Sequence, residues 1–131
     1  MRGRAPEPDA DLAVQRRVVD AFLAATRAGD FEALVEVLDP DVVFRLDAGP
    51  LAPETGPPVV GAAAAARAIL AGGGRYAPLC EPAIVNGAPG FIVAPAGRLI
   101  AAAAFTVVGG RIVSVDVVAD REKLRRSVLA G

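Results

Sequence analysis

A chain of 131 residues is one domain with room for a single real core, and its composition, 53% hydrophobic but only 5% aromatic, builds that core mainly from Ala, Val and Leu. A net charge of −1, from 14 basic and 15 acidic residues, excludes a nucleic-acid footprint across the whole domain, and the absence of histidine removes the usual general base at neutral pH and the commonest metal ligand. One cysteine, Cys80, rules out an internal disulfide framework, no signal peptide is visible from Met1 to Pro8, and the longest apolar run, Leu99 to Val108, is about half of the ~20 residues that span a membrane; the expectation is a cytoplasmic domain with no metal, no other cofactor and no membrane contact.

Residues 1–10 are rich in proline and charge and read as a disordered lead or a linker stub, ahead of a domain over residues 11–128. A helix is predicted from about Asp11, because Leu12, Val18, Val19, Phe22, Leu23 and Thr26 fall on one helical stripe. Gly29 suits its C-cap and Asp30 the N-cap of a second helix carrying Leu34, Val35, Val37 and Leu38, which Pro40 ends. Val42 to Leu46 alternates as a strand, with Val42, Phe44 and Leu46 on one face and Val43, Arg45 and Asp47 on the other.

Four prolines and two glycines make Ala48 to Pro58 a loop. An Ala-rich helix is expected from Gly61 to Ala71, stopped by Gly72-Gly73-Gly74, which no Lys-Ser or Lys-Thr follows as a phosphate loop requires. A strand near Leu79 to Val85 meets a hairpin signal at Asn86-Gly87, and a further strand spans Phe91 to Ala94. After Pro95-Ala96-Gly97 come two long strands, Leu99 to Val108 and Ile112 to Val118, joined at Gly109-Gly110, and a short basic helix from Asp120 to Arg126. The order α-α-β-α-β-β-β-β-α predicts an α+β fold: a cone-shaped, curved antiparallel sheet wrapped around the N-terminal helices.

Gly29-Asp30-Phe31-Glu32-Ala33-Leu34, followed by Leu38-Asp39-Pro40-Asp41-Val42-Val43, resembles the opening of the nuclear-transport-factor-two-like superfamily. With Val18 to Ala25, with Val85-Asn86-Gly87-Ala88-Pro89-Gly90, and with Gly110-Arg111-Ile112 through Asp120 to Arg125, the chain is similar to the SnoaL-like C-terminal extension of extracytoplasmic-function sigma factors. The resemblance covers residues 10 to 126 and implies the SnoaL-like α+β barrel. Asp47-Ala48-Gly49-Pro50 stands where that family has an Asp-Gly-Gly-Gly loop, and Ala119 to Leu124 where it has Asn-Pro-Asp-Lys-Leu. Both segments are similar to the family's contacts with the sigma domains. The resemblance thus implies partner contacts at Asp47, Lys123, Arg125 and Arg126, with sigma-factor domains or RNA polymerase as the partner, and it places the start of the chain in the linker after such domains, as a fragment of a sigma factor or a free-standing relative. On composition alone, the same basic residues complement the dipole of a terminal helix.

Enzymes of this cone fold carry a carboxylate inside the cavity, where burial raises its pKa and lets it accept a proton. Asp116 is the candidate base here, although alternation sets it with Ile112, Ser114 and Val118, opposite the apolar Val113, Val115 and Val117. An Asp47–Arg45 pair at the rim would be an ordinary solvated contact. Phe22, Phe44 and Phe105 are the expected apolar lining of a ligand cavity, and Tyr76 and Asn86 its hydrogen-bonding groups. Cys80, without a histidine to activate it, reads as a strand residue. Two functions stay open: a non-catalytic regulatory domain binding a small apolar ligand, and a small cofactor-free cyclase, isomerase or hydrolase. A homodimer through a valine-rich sheet is also expected.

Overall fold

The structure is a computed structural model that describes residues 11–49, 52, 55–74 and 76–125. The expected lead over residues 1–10, Arg126 and the end of the domain at residue 128 lie outside the described residues. Helix α1, Leu12–Ala28, starts at Asp11, whose carboxylate accepts the Ala13 N–H at 2.8 Å, and closes on Gly29 at φ 66°, a left-handed conformation that glycine adopts without steric cost. Asp30 then caps α2, Phe31–Val37, by accepting from the Ala33 N–H.

No loop follows α2. Strand β1, Leu38–Asp47, begins on the residue expected to be helical and passes through Pro40. Proline is tolerated there because β1 leaves the ladder of its neighbour between Leu38 and Val43, so no bond is lost to the missing N–H. After β1 come the two-residue strand β2, Val59–Val60, in the gap between the expected loop and the expected helix, and α3, Ala62–Gly73, which runs through two of the three glycines expected to stop it. Strand β3, Cys80–Val85, and β4, Ala88–Val93, turn on Asn86 and Gly87 at φ 54° and 78°; β5, Ala101–Val108, and β6, Arg111–Val118, turn on Gly109 and Gly110 at φ 60° and 78°. Both are two-residue turns with positive φ at each position, the geometry whose twist matches that of the flanking strands. Helix α4, Arg121–Leu124, is capped by Asp120.

The six strands form one curved, unclosed sheet in the order β2-β1-β6-β5-β4-β3. It is not wholly antiparallel: β1 runs parallel to β6, with Arg45 opposite Asp116 and Leu46 opposite Val117. Pairing partners 71 residues apart leave no local signal in the chain.

Helix α1 lies across the inner face of the sheet. Phe22 packs edge-on to Phe105 at 5.0 Å between ring centroids and faces Phe91 at 6.1 Å, within a buried cluster that includes Val19, Leu34, Val42, Val107, Ile112 and Val115. Two arginines fasten the helix to the far strands: Arg16 donates to the carbonyls of Gly90 and Ala83, each at 3.0 Å, and Arg27 to those of Ala77 and Cys80.

Ladder positions shift between Thr106 and Val107, which puts a bulge at Val113: Val107 faces Ile112 and Thr106 faces Ser114. The extra residue moves Ile112 into the core with Val115 and leaves Val113 on the outer face beside Ser114. Strict alternation would have set Ile112 with Asp116 and Val113 with Val115; the bulge reverses both. The valines that suggested a pairing surface therefore divide, Val115 and Val117 facing inward and Val113 outward.

Gly90 sits where β4 presses against β5. A Cβ there would lie 2.4 Å from the Ala103 carbonyl oxygen and 3.2 Å from Val85 Cγ2, so backbone must move to admit it. Gly90→Ala is expected to cost about 1–3 kcal/mol in urea denaturation, whereas Gly56→Ala, with nothing within 4 Å, is expected to be near neutral.

Candidate functional site

A cavity of 460 Å³ opens between α1, α3 and the inner face of the sheet, within the size range of small-molecule sites. Phe22, Leu23 and Thr26 of α1 form one wall; Phe44 and Leu46 of β1 and Val115 and Val117 of β6 form another; Phe91, Val93 and Ala101 close the far side. Strand alternation produces this lining: every inward residue from Phe44 to Leu46 and from Val115 to Ala119 is apolar. Among the described residues, the polar side chains in the wall are those of Thr26, Tyr76 and Cys80. The Thr26 hydroxyl donates to the Phe22 carbonyl at 2.8 Å, and the Cys80 thiol lies 3.5 Å from the Tyr76 carbonyl oxygen.

Among the residues expected to bind ligand, Phe22, Phe44 and Tyr76 line this cavity. Phe105 stands behind them, 5.4 Å from Phe91 and buried, so that it supports the wall without forming it. Asn86 is an exposed turn residue in the β3–β4 hairpin, away from the lining, where its left-handed backbone accounts for its presence. Asp116 points to the outer face of the sheet, paired with Arg45 at 3.3 Å, the two side chains 41% and 52% exposed. No carboxylate lines the cavity among the described residues, so none there is placed to take a proton from a bound molecule. Cys80 belongs to the cavity wall; burial pushes its thiol above the ordinary 9.0, against a smaller opposing pull from Arg27.

At the end of β1 the chain makes a second arrangement. Asp47, pointing away from the cavity, pairs with Lys123 of α4; its other carboxylate oxygen accepts the Gly49 N–H at 3.0 Å, and its carbonyl accepts the Ala119 N–H at 2.8 Å. The neighbouring residues Ala48 and Ala119 line the cavity. The two segments that resemble partner contacts, Asp47 to Gly49 and Ala119 to Leu124, are thus joined to each other at the cavity rim. Lys123 and Asp47 are both half-buried, and Arg125 is exposed at the end of α4; Arg126 lies outside the described residues. Thr55 was not singled out by sequence, yet its hydroxyl accepts the Ala48 N–H at 2.7 Å and donates to the Gly49 carbonyl, holding the loop beside Asp47. A threonine among prolines and glycines is the only mark it leaves in the sequence.

Helix α4 then crosses to the outer face, where Leu124 is buried with Val85 and Ala102 against Ile92, Ala104 and Val118. That covers part of the sheet surface. The rest carries Asp39, Asp41, Val43, Arg45, Thr106 and Ser114, a mixed polar face.

No protein-family profile and no curated protein matches the sequence. Among solved structures, the fold is similar to the extracytoplasmic function sigma factor SigJ of Mycobacterium tuberculosis, at 30% identity and a TM-score of 0.70, over 84% of this chain and 43% of that one. The chain therefore spans less than half of that sigma factor. It is also similar to an NTF2-like protein from Burkholderia xenovorans (22% identity, TM-score 0.56, 92% of this chain and 99% of that one) and to an LEH-like epoxide hydrolase of M. tuberculosis (20%, 0.54, 92% of each). At that identity the last two show the fold alone.

Two outcomes follow from the geometry. Because only the thiolate is nucleophilic, Cys80 is expected to react with iodoacetamide more slowly than free cysteine at neutral pH, its rate rising with pH to a midpoint above 9.0; a neutral-pH rate equal to that of free cysteine contradicts this placement. The hydrogen bond from Lys123, with that from Gly49, holds the Asp47 carboxyl below its ordinary 3.8. A lowered folded-state pKa gives stability that is fully present above 3.8 and is lost as the pH falls through the folded value. Thermal melts of wild type and Lys123→Met should therefore differ by a constant margin above pH 3.8 and converge in stronger acid.

Proposed function

We propose that this chain, an NTF2-like domain of the SnoaL-like fold, is a non-catalytic accessory domain of sigma-factor-dependent transcription whose cavity takes a small apolar ligand. The observation that carries the reading is the joining of Asp47–Gly49 and Ala119–Leu124 at the cavity rim. These segments resemble the sigma-domain contacts of such extensions, and here they join each other at the rim of an apolar pocket. The likeness to SigJ supports a sigma-factor domain as the partner, with Asp47, Lys123 and Arg125 contributing the contact. Such a domain acts in the cytoplasm through protein and does not touch DNA itself; among the described residues no helix is long and apolar enough to cross a membrane.

The alternative, a small cyclase, isomerase or hydrolase using a carboxylate, draws on the fold shared with the epoxide hydrolase. It finds less support in the residues, because Asp116 faces outward against Arg45 and the described cavity wall holds no carboxylate. Self-association through the outer face likewise finds little support, since α4 covers part of that face.

Calorimetric titration of this chain into the part of the M. tuberculosis sigma factor outside the matched region tests the proposal. Saturable binding is expected, weakened by Lys123→Ala and by Arg125→Ala and unchanged by Asp116→Asn. Absence of any complex at high micromolar concentration would sink the accessory reading. Turnover of an epoxide or polyketide substrate abolished by Asp116→Asn would put the enzyme in its place.

A further inference from the structure

The cavity and the Asp47–Lys123 contact are neighbours along the chain. Ala48 and Ala119 supply methyl groups to the cavity wall, and each is covalently next to a residue that closes the rim, Asp47 on one arm and Asp120 on the other. Two bonds hold the arms together, Lys123 to the Asp47 carboxylate and the Ala119 N–H to the Asp47 carbonyl, while the Gly49 N–H to the same carboxylate fixes Asp47 within its own arm. The arms also lie close together: a Cβ added at Gly49 would come to 3.1 Å from Asp120 Oδ1. Beyond the rim, α4 is anchored by Leu124 on Ala102, next in β5 to Ala101 of the cavity wall. Helix α4 is therefore a strap running from the cavity rim to the opposite face of the sheet.

We propose that cavity occupancy and closure of this strap are a single coupled equilibrium: a molecule filling the cavity holds α4 against the end of β1, and release of α4 loosens the bound molecule. This rests on the reading that the cavity takes a small apolar ligand. The direction follows from the contacts. The closed rim presents both the Ala48 and Ala119 methyls to a ligand, and the open rim withdraws the Ala119 side of that wall, so the ligand binds the closed arrangement better. Reciprocity then requires that closure tighten the ligand by the factor by which the ligand favours closure, so a weakened strap weakens the ligand by as much as it lowers the closed population. Release also uncovers Ala102 and Val85, which Leu124 now covers. The ligand thereby sets whether Asp47 and Lys123 are engaged with each other or available to the partner.

The probe for a test is N-phenyl-1-naphthylamine, a neutral apolar fluorophore, titrated into the full chain, with protection of Cys80 from iodoacetamide at alkaline pH locating it in the cavity. Lys123→Met, which keeps the aliphatic stem, and Asp47→Ala are each expected to weaken probe binding roughly two- to five-fold, the scale of an exposed ion pair. The double variant should be no weaker than the worse single one, because the two residues act as one contact. Arg45→Gln, which breaks an ion pair on the outer face, should leave the affinity unchanged. The probe should also slow amide exchange at Ala119. Saturable binding with Cys80 protection that is the same in wild type and every rim variant, with exchange at Ala119 unaltered, overturns the coupling and leaves the cavity reading standing. Absence of saturable binding, or binding that leaves Cys80 unprotected, overturns the cavity reading and the coupling together.

Discussion

The seating of α1 on the inner face of the sheet is the constraint on which the rest depends. Phe22 reaches from the helix to Phe91 of β4 and Phe105 of β5, so one side chain ties the first element of the domain to two of its later strands. Arg16 and Arg27 complete the attachment by donating to strand and turn carbonyls, including two on β3, an edge of the sheet. A guanidinium suits this task because it offers several donors in a fixed plane and can reach two carbonyls at once. With α1 held at both ends and at its centre, the sheet curves around it, and the space that α1 does not fill becomes the cavity.

That cavity is apolar as a consequence of alternation, and its lack of carboxylates among the described residues follows from which face each strand turns inward. Arg45, Asp47 and Asp116 all lie on the side of their strands away from Phe44, Leu46, Val115 and Val117. Charge pairing reinforces the sorting: Asp116 meets Arg45 across the parallel β1–β6 ladder, and Asp47 meets Lys123 at its end. Turning either carboxylate into the cavity would cost its desolvation and the loss of its partner. On the reading proposed above, this pocket holds a hydrophobic molecule, and its polar margin at Asp47 and Lys123 is where occupancy reaches another surface.

Much of this was legible in the chain. The caps at Asp11, Gly29 and Asp30 and the turns at Asn86-Gly87 and Gly109-Gly110 are local devices, each fixed by the φ preference or the side-chain acceptor of one or two residues. The inward faces of β1 and of β6 beyond Val113 could be read from period-two alternation. Pro40 misled, because a proline ends a helix or a central strand only where its N–H is needed, and β1 has left the ladder there. Gly72 and Gly73 misled for a related reason: α3 packs Ala65, Ala66 and Ile69 in the core, and tertiary burial outweighs the ~1 kcal/mol propensity cost of a glycine near its end.

The sequence by itself determined most of the elements, the caps and turns named above and the α+β class, because these rest on interactions among residues a few positions apart. It also marked, through resemblance, two distant segments at Asp47 and Asp120 as similar to the family's contacts with sigma domains. Only the tertiary structure decided that β1 runs parallel to β6, that a single bulged residue at Val113 exchanges Ile112 and Val113 between core and surface, and that the two marked segments close on each other over the cavity. Each of these depends on register between strands far apart in the chain. Register is set by the summed fit of many side chains, and no short stretch of residues contains it.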